Sequence, residues 1–289
     1  MSSKCNLRCR YCHFQDKQES NAKFSLDDLK VITSNIHNYC KKHSLESFKL
    51  GIVGAGEPML YSDEILGMLS YVSACNCQEM KIYTISNATL FSDELLSKFL
   101  PYKDRIRICV SLDGYEEIHN TGRMAYSRVM RGIETYRNVF GFMPPINATV
   151  NRVSCNNMER LMTFFQEKGF DDVTFSKLVG CDDPELMITD SQYHEFMRFA
   201  QASGIKSRQF RLDKKYDCTM YGNLCGVGRT NIFITPEGVY PCGRFYLNSR
   251  YRLGDFSSPI DEVAIGMERL SPVEDGKCYY IENIEKQRI

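Results

Sequence analysis

Residues 48–58 read Phe-Lys-Leu-Gly-Ile-Val-Gly-Ala-Gly-Glu-Pro, an apolar run followed by a glycine-rich turn. The first six of these residues are typical of a β-strand, and the Gly-Ala-Gly after them ends it. Before this strand, Ser25 and Asp28 have the spacing of a capping box at the start of a helix. After it, Ser62 is expected to cap a second helix. The order helix, strand, helix indicates an α/β fold.

The alternation of helical and strand-like segments extends from about residue 24 to about residue 202. Further strand-like segments lie at 81–85, 106–112, 146–150 and 173–175. Apolar residues at helical spacing separate them, and Thr189 and Gln192 resemble another capping box. This pattern predicts a parallel sheet with helices outside it, and ligands in such folds bind at the carboxyl ends of the strands.

The sequence pattern changes after Gly204, where the helical periodicity of apolar residues ends and cysteines become frequent again. Residues 232–240 read as a β-hairpin around the turn Pro236-Glu237-Gly238. We therefore predict a larger domain at 1–205 and a smaller, cysteine-rich domain at 206–289.

The composition bounds the class of protein. In 289 residues, 43% are hydrophobic and 25% charged, as in ordinary globular proteins, and the formal net charge of +0 implies no nucleic-acid partner. No apolar segment is long enough for a membrane span, and no signal region is recognisable, so we expect a cytoplasmic protein. In that reducing compartment, 13 cysteines indicate metal or redox chemistry rather than disulfides. Cys40 and Cys109 fit apolar stripes and are predicted to be core residues.

The spacing C-x3-C-x2-C of Cys5, Cys9 and Cys12 is the strongest local signal. Thiolates are the natural ligands of iron–sulfur clusters. Three ligands on a four-iron cluster leave one iron open for a bound molecule, as an open position does in catalytic zinc sites. A zinc site with three cysteines and a histidine such as His13 is the alternative that these residues leave open.

The triplet, with Tyr11 before its last cysteine, resembles the signature of the radical S-adenosylmethionine superfamily. The resemblance implies that Tyr11 is one of the residues that contact the cofactor. Gly56-Glu57-Pro58 resembles that family's glycine–glutamate–proline motif, whose residues contact the methionine amino group of the cofactor. The resemblance implies a partial (β/α)6 barrel followed by a small auxiliary-cluster domain. The family has a strand before the first cluster cysteine. Only four residues precede Cys5 here, so either the start of the sequence is misplaced or truncated, or the barrel lacks that strand.

Weaker matches suggest further contacts with the cofactor. Ser86 and Asn87 end the strand-like segment at 81–85, where the family often touches the cofactor. Ser111, in Ser-Leu-Asp-Gly, resembles a family serine that contacts the ribose. His119 and Arg123 resemble a His-Asp-x-x-Arg pattern whose arginine can pair with the cofactor carboxylate, although the chain has asparagine in place of the acid.

A second cysteine set resembles the auxiliary-cluster domain of peptide-modifying family members, called SPASM or twitch. The set comprises Cys218, Cys225, Cys242 and Cys278. Four ligands suffice for one cluster, so we predict the one-cluster form.

The resemblance implies reductive cleavage of S-adenosylmethionine to a 5′-deoxyadenosyl radical that abstracts hydrogen from the substrate. A peptide or protein is the favoured substrate, with a crosslink, a thioether or an epimerised residue as the product. A separate leader-peptide-binding protein and an electron donor such as flavodoxin or ferredoxin are the expected partners.

Several alternatives remain open. Anaerobic sulfatase maturases usually carry an aspartate base where this chain has Gly243, and glycine cannot accept a proton. Cyclic-pyranopterin synthases usually begin their second set with a tight C-x2-C pair, which is absent here. A non-catalytic metal-binding or redox-sensing protein would keep both cysteine sets, and the second set could instead hold structural zinc.

Overall fold

The computed structural model describes residues 1–12, 14, 22–75, 80–181, 183–210, 225–273 and 277–285. Its α-helices are α1 Leu26–Lys42, α2 Ser62–Ala74, α3 Asp93–Phe99, α4 Glu116–Gly122, α5 Tyr126–Phe140, α6 Arg152–Cys155, α7 Met158–Glu167, α8 Asp190–Ala202 and α9 Ile260–Glu268. Its strands are β1 Phe48–Ile52, β2 Met80–Ser86, β3 Ile106–Ser111, β4 Ile146–Val150, β5 Val173–Lys177, β6 Phe233–Thr235 and β7 Gly238–Tyr240. Short 3₁₀ turns lie at Pro58–Tyr61, Leu100–Tyr102, Arg208–Phe210, Gly243–Phe245 and Ser249–Tyr251, and a π turn lies at Ile281–Glu285.

The first five strands form one parallel sheet in the order β1-β2-β3-β4-β5. Its register is well defined at β4 and β5, where Ile146 pairs with Val173 and Val150 with Lys177. A strand order that follows the chain without reversal is that of a β/α barrel rather than of a doubly wound sheet. The predicted α/β barrel class is confirmed, with five strands in the described residues rather than six.

The chain forms two compact units. Among the described residues, the first holds 1–4, 22–83 and 225–285, and the second holds 5–12, 14, 84–181 and 183–210. The boundary at 205/206 remains a prediction about domains. No helix of the described chain is both long and apolar enough to cross a membrane.

Local capping signals explain where several helices begin. Ser25 and Asp28 form the predicted capping box of α1, and Thr189 and Gln192 form that of α8. The prediction for Ser62 is wrong, because this residue is the first of α2 and Tyr61 precedes it without a side-chain cap. The short helix α6, which separates β4 from α7, was not predicted from the sequence.

The alternation of β3 decides which side chains enter the core of the second unit. Ile108 and Val110 are 2% and 0% exposed, and Val110 packs in a cluster with residues of β4, β5 and the covering helices. Successive strand residues point to opposite faces. Cys109 therefore lies on the other face and is only half-buried, which corrects its prediction as a core residue. Cys40 is 2% exposed, as predicted.

Candidate active site

The loop from Cys5 to Cys12, called the cluster loop below, lies in the second unit within an apolar shell. Leu178 and Leu186 pack with buried Cys9, and half-buried Cys5 and Cys12 pack against the same cluster. The loop turns tightly, since the Cys12 backbone N–H donates to the Cys9 carbonyl at 2.9 Å. The three predicted ligands therefore share one small apolar region, although they are separated by up to seven positions in the chain.

The protonation of Cys9 depends on this environment. Burial raises the pKa of its thiol to about 11, while the Arg123 guanidinium acts in the opposite direction. The thiols of Cys5 and Cys12 are close enough to add to the rise. Three thiolates this close repel one another, and a bound cationic iron–sulfur core offsets that repulsion.

An asparagine network attaches the Cys5 end of the cluster loop to the end of β2. The Asn87 side-chain amide donates to Asn6 Oδ1 at 2.8 Å and approaches Cys5 Sγ at 4.0 Å. Thr89 donates to Asn87 Oδ1 from its backbone at 3.0 Å and from its hydroxyl at 2.7 Å. These bonds orient the Asn87 amide toward sulfur, and hydrogen bonds to sulfur tune the potential of iron–sulfur clusters.

A second network attaches the Cys12 end of the loop to the ends of β3 and β4. The Tyr11 hydroxyl donates to Asp113 Oδ2, and Arg123 Nε donates to Asp113 Oδ1 at 3.0 Å. Arg123 also donates to Thr149 Oγ1 at 3.2 Å, and its guanidinium lies 5.4 Å from the Tyr11 ring centre. Burial alone would lower the pKa of Arg123, but Asp113 holds it well above its ordinary value.

Ser86 and Ser111, two of the predicted cofactor contacts, lie at strand ends and are buried. Ser86 is fully buried, and its hydroxyl accepts the backbone N–H of Ala88 at 3.0 Å. Ser111 is 6% exposed and ends β3 in register with Asn147 of β4. Of the residues predicted to touch the cofactor, Tyr11 belongs to the cluster loop, and the structure brings Asn87 and Arg123 to that loop.

In the first unit, the turn after β1 is packed against backbone. The backbone N–H of Glu57 donates to the Lys4 carbonyl at 2.8 Å. The Glu57 side chain is 3% exposed and accepts the Met59 N–H at 3.1 Å, which caps the 3₁₀ turn that begins at Pro58. Gly56 has φ +79°, and a Cβ there would lie 2.4 Å from the carbonyl oxygens of Ser2 and Lys4.

Substituting Gly56 by alanine is expected to lower the free energy of unfolding by clearly more than the cost of placing alanine at a left-handed φ. A left-handed φ costs an L-residue about 1–2 kcal/mol, and the contact with two carbonyl oxygens adds to that cost. Gly169→Ala is the matched control, because Gly169 has φ +75° and open space around its Cβ position. Urea unfolding of both variants measures the difference, and equal losses of stability would contradict the steric argument.

The first unit also brings together the second cysteine set as far as it is described. Cys242 lies within electrostatic range of both Cys225 and Cys278, and Cys278 within range of Cys225. Burial is the main cause that raises the pKa values of Cys242 and Cys278. Cys218, the remaining predicted ligand, lies outside the described residues. These three thiols are up to 53 positions apart in the chain, so tertiary structure gathers them.

An aromatic cluster holds the Cys242 and Cys278 segments together. Phe245, three residues after Cys242, is 1% exposed. Its ring centre lies 5.8 Å and 5.6 Å from those of Tyr279 and Tyr280, the two residues after Cys278. Edge-on aromatic pairs at such distances stabilise a contact beyond their buried area. The late position of Cys278 therefore does not prevent it from joining the other two cysteines.

Asp113 was not predicted from the sequence, although it accepts hydrogen bonds from Tyr11, Arg123 and the Thr149 backbone. The available signal was its place in Ser-Leu-Asp-Gly, from which only the serine was selected. Cys181 was also left without a role. It follows β5 and packs against the same apolar cluster as the cluster loop.

The donor sets fit iron–sulfur chemistry by their composition. Each consists of thiols, which are the usual ligands of iron–sulfur clusters. Within the described residues, no three His, Cys, Asp or Glu side chains form a site for a single metal ion.

Comparison with known proteins adds relatives along most of the chain. A cysteine-type anaerobic sulfatase-maturating enzyme of Clostridium perfringens is 25% identical over 291 residues, which cover 88% of this chain and 75% of the relative. Native anSMEcpe with bound AdoMet has a TM-score of 0.73 at 21% identity, covering 91% of this chain and 78% of that one. It is also known with AdoMet and Kp18Cys peptide, at a TM-score of 0.72.

A second solved relative has a different peptide bound. Streptococcus suis SuiB bound to precursor peptide SuiA has a TM-score of 0.65 at 16% identity, covering 91% of this chain and 62% of that one. At such identities these structures establish a shared fold. The family model for the radical SAM superfamily matches residues 1–144, the stretch that contains the cluster loop and the Gly56-Glu57 turn. The chain is therefore an enzyme of the radical SAM superfamily.

Proposed function

We propose that the enzyme uses S-adenosylmethionine to modify a peptide or protein by radical chemistry. The observation that carries the proposal is the cluster loop, whose three thiols share an apolar region attached to the ends of β2 and β3. The superfamily implies a [4Fe–4S] cluster and S-adenosylmethionine. Together these would supply the radical chemistry needed to remove hydrogen from an unactivated C–H bond.

The protein residues have separate tasks in this proposal. Cys5, Cys9 and Cys12 would hold the cluster through their thiolates. The apolar shell of Leu178 and Leu186 limits access of water to that region. Arg123 offers the cofactor carboxylate a fixed cation, since Asp113 holds its Nε. The acidic side chain of Glu57 suits the cofactor's methionine ammonium.

The second cysteine set is proposed to hold one auxiliary iron–sulfur cluster. Cys225, Cys242 and Cys278 are mutually within electrostatic range, which supports a shared site, and Cys218 is the fourth proposed ligand. An auxiliary cluster would supply an acceptor for the electron released when a substrate radical is oxidised to product, or a binding site for substrate. A flavodoxin- or ferredoxin-type donor would supply the reducing electron for the cluster loop.

Peptide substrates are supported by the solved relatives, since anSMEcpe has been seen with Kp18Cys peptide and SuiB with precursor peptide SuiA. We propose a crosslink, thioether or epimerisation on a ribosomally made peptide that a separate protein recognises through its leader. A second candidate is sulfatase maturation, which the Clostridium perfringens relative favours. Gly243, which follows Cys242 and begins a 3₁₀ turn, has no carboxylate to act as the base of that reaction.

The test compares peptides under anaerobic conditions with the reconstituted enzyme, reductant and S-adenosylmethionine. The substrates are peptides encoded beside this chain's gene and a synthetic sulfatase-type peptide with its target cysteine, and mass spectrometry follows each peptide and 5′-deoxyadenosine. We expect a mass change in a neighbouring peptide and none in the sulfatase-type peptide. Modification of the sulfatase-type peptide alone would favour the second candidate. Cleavage of cofactor with every peptide unchanged would contradict both.

A further inference from the structure

The carboxylate of Asp113 has an unusual position for an acidic side chain. It follows the end of β3, its side chain is 0% exposed, and it receives three hydrogen bonds. Arg123 Nε and the Thr149 backbone N–H donate to Oδ1 at 3.0 Å and 2.8 Å, and the Tyr11 hydroxyl donates to Oδ2. A buried carboxylate is tolerated only where charge and hydrogen bonds replace its hydration, and here both oxygens are satisfied.

These three donors come from three different parts of the second unit. Tyr11 belongs to the cluster loop, Arg123 directly follows α4, and Thr149 lies in β4. Asp113 is therefore the one acceptor in this network through which the cluster loop, the arginine and the strand ends are joined.

Contacts other than its hydroxyl hydrogen bond also hold Tyr11 in place. Its neighbour Arg10 donates a backbone hydrogen bond to the Gly122 carbonyl at 2.7 Å. A Cβ on Gly122 would lie 2.2 Å from the Tyr11 ring, so only glycine allows the ring to approach α4 this closely. The ring lies under the Arg123 guanidinium, and a small shift of the Asp113 carboxylate would move both.

We propose that Asp113 is a positioning residue, which sets the orientation of the cluster loop through Tyr11 and of the Arg123 guanidinium through Nε. It acts through these two residues and needs no contact with iron or cofactor. The inference rests on the cofactor site proposed above. It predicts that Asp113 controls the affinity for S-adenosylmethionine although its own side chain is inaccessible.

The experiment measures equilibrium binding of S-adenosylmethionine to anaerobically reconstituted Asp113→Asn, Tyr11→Phe and the double variant. An asparagine at this position removes the negative charge beside the buried Arg123 guanidinium. Its amide nitrogen would either face Arg123 Nε–H or force the Tyr11 hydroxyl to turn and accept instead of donating. Loss of a partner that orients a metal-site residue typically costs about 10–100-fold in affinity or activity. We expect a dissociation constant raised about tenfold or more in Asp113→Asn and less in Tyr11→Phe. The double variant should resemble Asp113→Asn, because both changes break the same hydrogen bond.

Asp172→Asn is the matched control for a purely structural role. Asp172 is a largely buried carboxylate of the same unit that pairs with Arg107 and with Arg208, the latter at 3.1 Å. It precedes β5 at the amino end of that strand, away from the carboxyl ends that carry the cluster loop. This variant should lower the midpoint of thermal unfolding while its folded form keeps the parent affinity for the cofactor.

Two further readouts separate the possible outcomes. The electron paramagnetic resonance spectrum of the reduced cluster should respond to S-adenosylmethionine differently in Asp113→Asn than in the parent and in Asp172→Asn. Parent-like affinity and spectrum in Asp113→Asn would overturn this inference while leaving the proposed function in place. A parent that holds its cluster and fails to bind the cofactor would overturn both. If Asp113→Asn does not fold, Tyr11→Phe carries the test, and unchanged affinity in that variant overturns the inference.

Discussion

Replacing Cys5, Cys9 and Cys12 together by alanine is expected to reduce formation of 5′-deoxyadenosine from S-adenosylmethionine to background. The three thiols share one apolar region, and no ligand for the cluster remains in the loop once they are gone. Iron content should fall by about four atoms per chain, the content of one [4Fe–4S] cluster. Mass spectrometry of the nucleoside and metal analysis of the purified protein measure the two effects.

Cys75→Ala is the control for the first prediction, because it removes an exposed thiol at the end of α2. It should keep the parent iron content and cofactor cleavage. Cofactor cleavage by the triple variant at the parent level would show that the cluster loop is not required for the reaction. A parent that holds iron and cleaves no cofactor would favour a non-catalytic, metal-binding protein instead.

Replacing Cys225, Cys242 and Cys278 by alanine is expected to leave cofactor cleavage in place and to abolish modification of the peptide. These thiols lie in the first unit, whereas the cluster loop lies in the second. The cluster proposed on Cys5, Cys9 and Cys12 therefore keeps its ligands. Iron content should fall by about two to four atoms per chain, as expected for one cluster on four cysteines. Anaerobic reconstitution followed by iron analysis and peptide mass spectrometry measures both effects.

The two triple variants act as controls for each other, because they should lose complementary parts of the iron. Zinc bound at parent level in the Cys5, Cys9 and Cys12 variant, with no iron, would identify the second set as a zinc site. Equal iron in the parent and in the Cys225, Cys242 and Cys278 variant would contradict the auxiliary cluster.

Secondary structure was predictable where a local interaction determines it. The capping boxes at Ser25 and Thr189 use residues three positions apart, and both are present in the structure. The hairpin of β6 and β7 is equally local, with Thr235 paired to Gly238. The start of α2 was predicted one residue too late. Serine is a common N-cap residue, so Ser62 was expected to precede the helix, whereas it is the first helical residue.

The core was less predictable than the elements. Cys109 fits an apolar run in the sequence, yet the pleat of β3 turns it away from Ile108 and Val110. Cys109 shares its face of β3 with Arg107 and Ser111. Its direct neighbours in the sequence, Ile108 and Val110, hide that position.

The sequence by itself identified the candidate ligands of this protein, because the spacing of Cys5, Cys9 and Cys12 is local and thiolates are the usual ligands of iron–sulfur clusters. It also determined the order of helices and strands through capping and periodicity. Only the tertiary structure decided what holds the cluster loop. Tyr11 and Asp113 are 102 positions apart, and they meet because the parallel sheet brings the end of β3 to the loop. A hydrogen bond between such distant residues leaves no periodic trace in the chain, so its discovery requires the fold.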